Sequence, residues 1–175
     1  MKIKPKLDTE RMNALGPYKV DSFEVNYLYG LNDLCEKFIN EDFVILELGS
    51  NDGVSTSLFS FFAKKVISVD IVKTEKMKKI IDSNNNIYFN QMTFEDFLKN
   101  DNNNTYDLIY IDGNHDYYNV NLDIENFKNK VKKGGFLSGH DYNSITDGVV
   151  NAVKKHFSDK EIFIFSDSSW LVKLD

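Results

Sequence analysis

Seven short apolar runs most limit the folds open to this chain. The first five are separated by stretches long enough for a helix, the last two by only a turn. The runs are FVILELG (43–49), VISVDI (66–71), NIYFNQM (86–92), YDLIYIDG (106–113), GGFLSGHD (134–141), EIFIFSD (161–167) and SWLVKL (169–174). The first five are nearly continuous in apolar residues rather than alternating, as strands covered on both faces must be. Helical spacing fills the gaps: Val54, Leu58 and Phe61; Val120, Ile124, Phe127 and Val131; Ile145, Val149, Val153 and Phe157. A further helix at about 23–39 precedes the first run. Strands alternating with helices build right-handed βαβ units and a parallel sheet. No helix fits between the sixth and seventh runs, so these two strands must form an antiparallel hairpin. The expectation is an α/β fold with a seven-stranded sheet, five parallel βα units closed by an antiparallel C-terminal hairpin. At 175 residues the chain is read as one domain, 1–175. Residues 1–40 are its N-terminal segment and helix, and 41–175 its core.

Charge and cysteine content narrow the function. Lys plus Arg number 21 against 27 Asp plus Glu, a formal charge of −6, with no basic block to track a phosphate backbone. Nucleic acid is therefore not expected as a partner. The single cysteine, Cys35, excludes an intramolecular disulfide and falls on the apolar stripe Leu28, Leu31, Cys35, Phe38, as a small core residue would. The opening MKIKPKLDTERMNALG has no apolar stretch of signal-peptide type, and no run approaches membrane-spanning length. A cytoplasmic protein without a membrane partner is the expectation.

The chemistry gathers where strands end, the edge at which open α/β sheets bind ligands. After the first run, ELGSNDGVS turns into a helix. Gly49 and Gly53 let the backbone approach a ligand closely, and the helix N-terminus offers free N–H groups to an anion. The spacing is G-x-x-x-G, not the G-x-G-x-x-G of a dinucleotide-binding loop. The second run ends in Asp70, about 20 residues beyond Gly49, where doubly wound folds place an acid for ribose hydroxyls. Asp112 ends the fourth run and His140-Asp141 the fifth. Neighbouring strands lie about 4.8 Å apart, so Asp112, His140 and Asp141 can converge on one point. Two carboxylates and an imidazole suit a divalent cation, Mg2+ or Mn2+ before zinc. His115 follows Asp112 by three residues in YIDGNHDYYNV, and an imidazole suits a general base near neutral pH.

E-x-G-x-x-x-G, an acid after the second strand and a terminal antiparallel hairpin resemble the class I S-adenosylmethionine-dependent methyltransferases, whose sheet is Rossmann-like, over roughly residues 43–175. The combination IDG-x-H…GG…HD further resembles the small O-methyltransferase-like group that includes macrolide-sugar and aminocoumarin-sugar methyltransferases. Catechol-type methyltransferases are more distant. The resemblance implies S-adenosylmethionine as cofactor, with Glu47, Gly49, Ser50, Asn51 and Gly53 in the first loop. It implies Ser55 near the methionine carboxylate, Asp70 on the ribose, Thr93 and Phe94 at the adenine, and Asp112 at the cofactor's edge. It also implies metal ligands at Asp112, residue 140 and Asp141, although residue 140 is histidine where such relatives carry a carboxylate. His115 stands where catechol-type relatives carry a basic residue that deprotonates the acceptor.

The expected activity is methyl transfer to a hydroxyl of a small molecule or sugar, with Asp112 and His115 as catalytic residues and Mg2+ or Mn2+ as an assisting ion. Residues 1–22 would form part of a substrate lid, and a second copy of the chain could complete the pocket. Two rivals stand beside this reading. An NAD-dependent oxidoreductase is opposed by the missing G-x-G-x-x-G and by the terminal hairpin. A non-catalytic module that binds S-adenosylmethionine or a partner chain is opposed by the full set Asp112, His115, His140 and Asp141.

Overall fold

The computed structural model describes residues 28–102, 105–143 and 147–175. The lid expected of residues 1–22, the start of the helix expected at 23–39, and Ile145 lie outside these residues. Within them the chain runs α1 (Tyr29–Phe38), β1 (Val44–Leu48), α2 (Val54–Phe62), β2 (Lys65–Asp70), α3 (Glu75–Ser83), β3 (Ile87–Gln91), α4 (Phe94–Asn100), β4 (Tyr106–Ile111), α5 (Tyr117–Phe127), a 3-10 turn (Lys128–Lys130), β5 (Val131–Gly139), α6 (Asp147–Phe157), β6 (Ile162–Ile164) and β7 (Trp170–Lys173).

All seven strands join one sheet in the order β3-β2-β1-β4-β5-β7-β6. The first five pair in parallel, and β7 is antiparallel to both β5 and β6. The expected hairpin is present, but its second strand lies against β5 and its first forms the edge. Strand burial follows from this order. Along β1 and β4 nearly every residue is buried, because helices cover both faces. One face packs Leu31, Leu34 and Cys35 of α1, Leu58 and Phe59 of α2, and Ile80 of α3 against Ile45, Val66, Leu108 and Tyr110. The other packs Phe97 of α4, Val120, Ile124 and Phe127 of α5, and Val149 and Val153 of α6 against Leu46, Leu48, Ile109, Ile111 and Trp170. Cys35 is a fully buried core residue, as its stripe implies.

Three local readings are corrected. Phe61 is 44% exposed, and the buried stripe of α2 is instead Leu58, Phe59 and Phe62. Val131 does not continue α5: the 3-10 turn intervenes, and Val131 starts β5 opposite Tyr106. Helices α3 and α4, which are not among the three spacings named above, begin at side-chain caps. Thr74 accepts from the Met77 N–H and Thr93 from the Asp96 N–H. Each helix is short and carries one apolar triplet at i, i+3, i+4: Met77, Ile80 and Ile81 in α3, and Phe94, Phe97 and Leu98 in α4. Among the described residues no helix is long and apolar enough to cross a membrane.

Candidate active site

The strand order reverses between β1 and β4, so the loops leaving their C-terminal ends part and leave a cleft of about 980 Å3. Its walls include Gly49, Ser50, Asn51 and Ser55 from the first loop and helix, Asp70 from β2, Thr93 and Phe94 from α4, and Asp112, His115 and His140. Most of the residues singled out in the sequence therefore share one pocket.

The first loop is held from behind. Asp70 Oδ2 accepts from the backbone N–H groups of Ser50 and Asn51, both at 2.9 Å, and Oδ1 from that of Val72 at 3.0 Å. The carboxylate at the end of β2 thus orders the loop beside it as well as facing the cleft. Gly49 and Gly53 adopt φ of +88° and +81°, and α2 starts at Gly53 without a side-chain cap. Its first N–H groups are therefore left for an anionic ligand.

Two first-loop assignments change. Glu47 does not line the cleft: it is fully buried on β1 and accepts hydrogen bonds from the hydroxyls of Ser55 and Thr56. It anchors the first turn of α2 to the sheet. Gly53 also lies off the cleft wall, where a Cβ would stand 2.6 Å from Met77 Sδ of α3.

Burial lifts Glu47 from its usual 4.5 to about 7, against the lowering effect of its two hydroxyl donors, and the nearby Asp112 charge raises it further. A carboxyl whose folded pKa exceeds its unfolded one binds more protons folded than unfolded between those values. Stability therefore declines as pH rises from about 4.5 to about 7. The share from Glu47 is roughly 3 kcal/mol. Urea unfolding of wild type and Glu47→Gln at pH 5 and pH 8 isolates it: the variant gains on wild type by up to that amount at the higher pH. A difference that does not change with pH would show that Glu47 is not the buried acid responsible.

At the other lip the geometry differs from the expected convergence. Asp112, His115 and Asp141 form the cluster, with donor atoms all within 4.8 Å of one another. His115 sits between the two acids, Nε2 at 3.4 Å from Asp112 and Nδ1 at 3.0 Å from Asp141. The hydrogen bond to Asp112 raises its pKa, and the charges of Asp141 and Asp112 add to this against partial burial. His140, expected with Asp112 and Asp141, lies outside that cluster on the inner wall of the cleft. Its ring is 6% exposed, with Nδ1 at 3.5 Å from Asp141 and Nε2 at 3.9 Å from Asp167. Asp141 takes φ of +60° after β5, and its carboxylate meets both rings, His115 Nδ1 at 3.0 Å and His140 Nδ1 at 3.5 Å. Behind His140, Asp167 accepts from the N–H and Oγ of Ser169, whose hydroxyl also meets Tyr110 Oη at 3.0 Å.

Thr93 lines the cleft, but its hydroxyl is engaged with the Asp96 backbone N–H and carboxylate. Phe94 packs over Gly113, where a Cβ would stand 2.7 Å from the ring. Sequence reasoning missed Ile71, Val72, Asn119, Asp123 and Asp167. Ile71 and Val72 are 65% and 54% exposed beside Asp70. A signal for them existed in the apolar pair directly after the strand-end acid. None existed for Asp167, which belongs to the turn of the terminal hairpin.

The sheet order, the loop behind Asp70 and the cleft at the β1/β4 switch point define the class I methyltransferase fold. Residues 46–142 match a family model described as "Methyltransferase domain", more than half of the chain. The protein belongs to that family. Comparison with curated protein sequences returns no match. Among solved structures, the TDP-rhamnose 3'-O-methyltransferase of calicheamicin biosynthesis superposes with a TM-score of 0.69 at 14% identity, over 97% of this chain and 87% of that one. The N-methyltransferase NodS from Bradyrhizobium japonicum, in complex with S-adenosylhomocysteine, gives 0.61 at 16%, over 96% and 97%. An rRNA methylase from Streptococcus thermophilus gives 0.64 at 15%, over 83% and 95%. Against a longer chain from Streptococcus mutans the match takes 84% of this chain but 48% of that one.

Proposed function

We propose that this protein transfers a methyl group from S-adenosylmethionine to a hydroxyl of a small molecule or sugar. The observation that carries the reading is His115: an imidazole clamped between two carboxylates, at the lip of the cleft that the Gly49 loop and Asp70 build. The cofactor supplies a sulfonium methyl, which passes to the acceptor oxygen by in-line displacement. The chain's own residues hold and align the reactants. Asp70 takes the ribose hydroxyls, and the first turn of α2 takes the carboxylate. His115 accepts the acceptor's proton, and Asp112 and Asp141 orient its ring and stabilise the imidazolium that results.

Asp112, His115 and Asp141 also fit a divalent cation, since two carboxylates and one imidazole within reach of one another make a ligand set for Mg2+ or Mn2+. Such an ion would supply Lewis-acid stabilisation of the attacking oxygen. Sugar acceptors are favoured by the likeness to the TDP-rhamnose enzyme.

A thermal-shift panel of S-adenosylmethionine, S-adenosylhomocysteine and NAD, each with Mg2+ and with EDTA, tests the reading. The two adenosyl ligands should raise the melting temperature by mass action and NAD should not. Stabilisation by NAD alone would replace this reading with an oxidoreductase. Release of S-adenosylhomocysteine with a panel of sugar and phenolic acceptors then separates an enzyme from a binding module. Turnover that survives EDTA leaves His115 as the base. Turnover lost in EDTA and restored by Mg2+ makes it a ligand.

A further inference from the structure

Asp123 is a buried acid that the proposed chemistry leaves unused. It is 8% exposed, lines the cleft, and makes no hydrogen bond or ion pair among the described residues. The charge acting on it is that of Asp116, another acid, and burial lifts its pKa from 3.8 to about 7. Burying a carboxyl without a partner is costly, so a pocket wall carrying one is suited to a ligand that brings a donor.

Its position on α5 says which part of a ligand it meets. Tyr117, Asn121 and Glu125 face α6: Lys155 Nζ lies 2.7 Å from Asn121 Oδ1, 3.7 Å from Glu125 and 5.9 Å from the Tyr117 ring. Val120, Ile124 and Phe127, each at most 2% exposed, face the sheet. At about 100° per residue, Asn119 and Asp123 fall on the flank of this apolar stripe opposite α6. That flank is the side of α4, whose first residue, Phe94, packs with the same core cluster. Asp123 therefore belongs to the end of the cleft walled by Ile71, Val72, Thr93 and Phe94. Asp70 stands at the start of that wall and His115 at the other lip. A nucleoside whose ribose rests on Asp70 puts its base between the apolar walls and its sulfur end toward His115.

At the base end Asp123 is the buried carboxylate, and two neighbouring polar groups have other partners. The Thr93 hydroxyl bonds Asp96, and Asn119 Nδ2 donates to Asp116 at 2.6 Å. We infer that Asp123 accepts a hydrogen bond from the 6-amino group of the cofactor's adenine, an assignment that rests on the proposed adenosyl cofactor. Asp123 then sets base specificity from α5, and neither Thr93 nor Phe94 needs to read the base edge.

Calorimetry with S-adenosylhomocysteine and its 6-desamino analogue, purine riboside in place of adenosine, tests the assignment. Wild type should bind the analogue roughly 10- to 100-fold more weakly, as a site built for a donor rejects a ligand without one. Asp123→Ala should bind S-adenosylhomocysteine as weakly as the analogue and leave the analogue's affinity within about twofold. Equal binding of the two ligands by wild type overturns the assignment without any variant being needed. So does discrimination that persists in Asp123→Ala, which would place the amino group elsewhere. If wild type binds neither ligand, the adenosyl-cofactor reading falls and this inference with it.

Discussion

His115→Ala should lower turnover by about 10²–10⁴-fold while affinity for S-adenosylhomocysteine stays within a few-fold of wild type. The size follows from the chemistry asked of the ring. An alcohol is hardly ionised near neutral pH, and a positioned base that takes its proton during methyl transfer contributes about that factor. The selectivity follows from place. His115 is held at the lip by Asp112 and Asp141, across the cleft from the loop and Asp70 that would grip the nucleoside. The residue is 42% exposed, so its removal leaves no core cavity and the melting temperature should change little. Turnover and melting temperature measured on one preparation separate a catalytic role from a structural one. A variant that melts early but turns over normally assigns His115 a structural role and moves the base elsewhere.

Gly49→Ala should cost roughly 3–5 kcal/mol of stability and abolish cofactor binding. A Cβ on Gly49 would stand 2.2 Å from the Asp112 carbonyl oxygen and 2.6 Å from its carbon, with φ at +88°. Both obstacles are backbone, so no rotamer relieves them. The strand ends of β1 and β4 would have to part at the very point where the cleft opens. Gly134→Ala is the control: its φ is +77° but no atom lies within 4 Å of the added Cβ, so only the conformational cost of about 1 kcal/mol remains. Urea unfolding of both variants compares them. Equal small losses would mean that β1 and β4 leave room at Gly49 for a methyl group.

The two variants bracket what could be read from residues alone. G-x-x-x-G marked Gly49 as special, but the reason differs from ligand approach alone: Gly49 lets β1 pass the end of β4. The same holds for Glu47, placed by resemblance among the cofactor contacts. Its position on β1 was legible, yet an inward-facing residue on a central strand is buried, and the hydroxyls of α2 close over it. The wall of the cleft beside α4 and α5 shows the opposite failure. Thr93 and Phe94 came from the family resemblance, and both line the cleft. Asp123 was not legible, because one acid in a partly polar helix looks like a solvated face until the helix has a neighbour on each side.

The sheet and its ligand-binding edge are written in local features of the chain. Continuous apolar runs, a missing final helix and acids at strand ends are such features, and the βαβ handedness rule converts them into one topology. Asp70, Asp112, His115 and His140 reach the cleft because each ends or follows a strand, a matter of chain position. Which side chains meet there is not local. His115 lies between Asp112 and Asp141, while His140 meets Asp141 on one side and faces Asp167 from the hairpin on the other. Residues 140 and 167 are joined only when β7 inserts between β5 and β6. His115 and His140 follow different strands, so a reading accurate to each strand end still leaves open which ring sits between the two acids. Only packing distinguishes them.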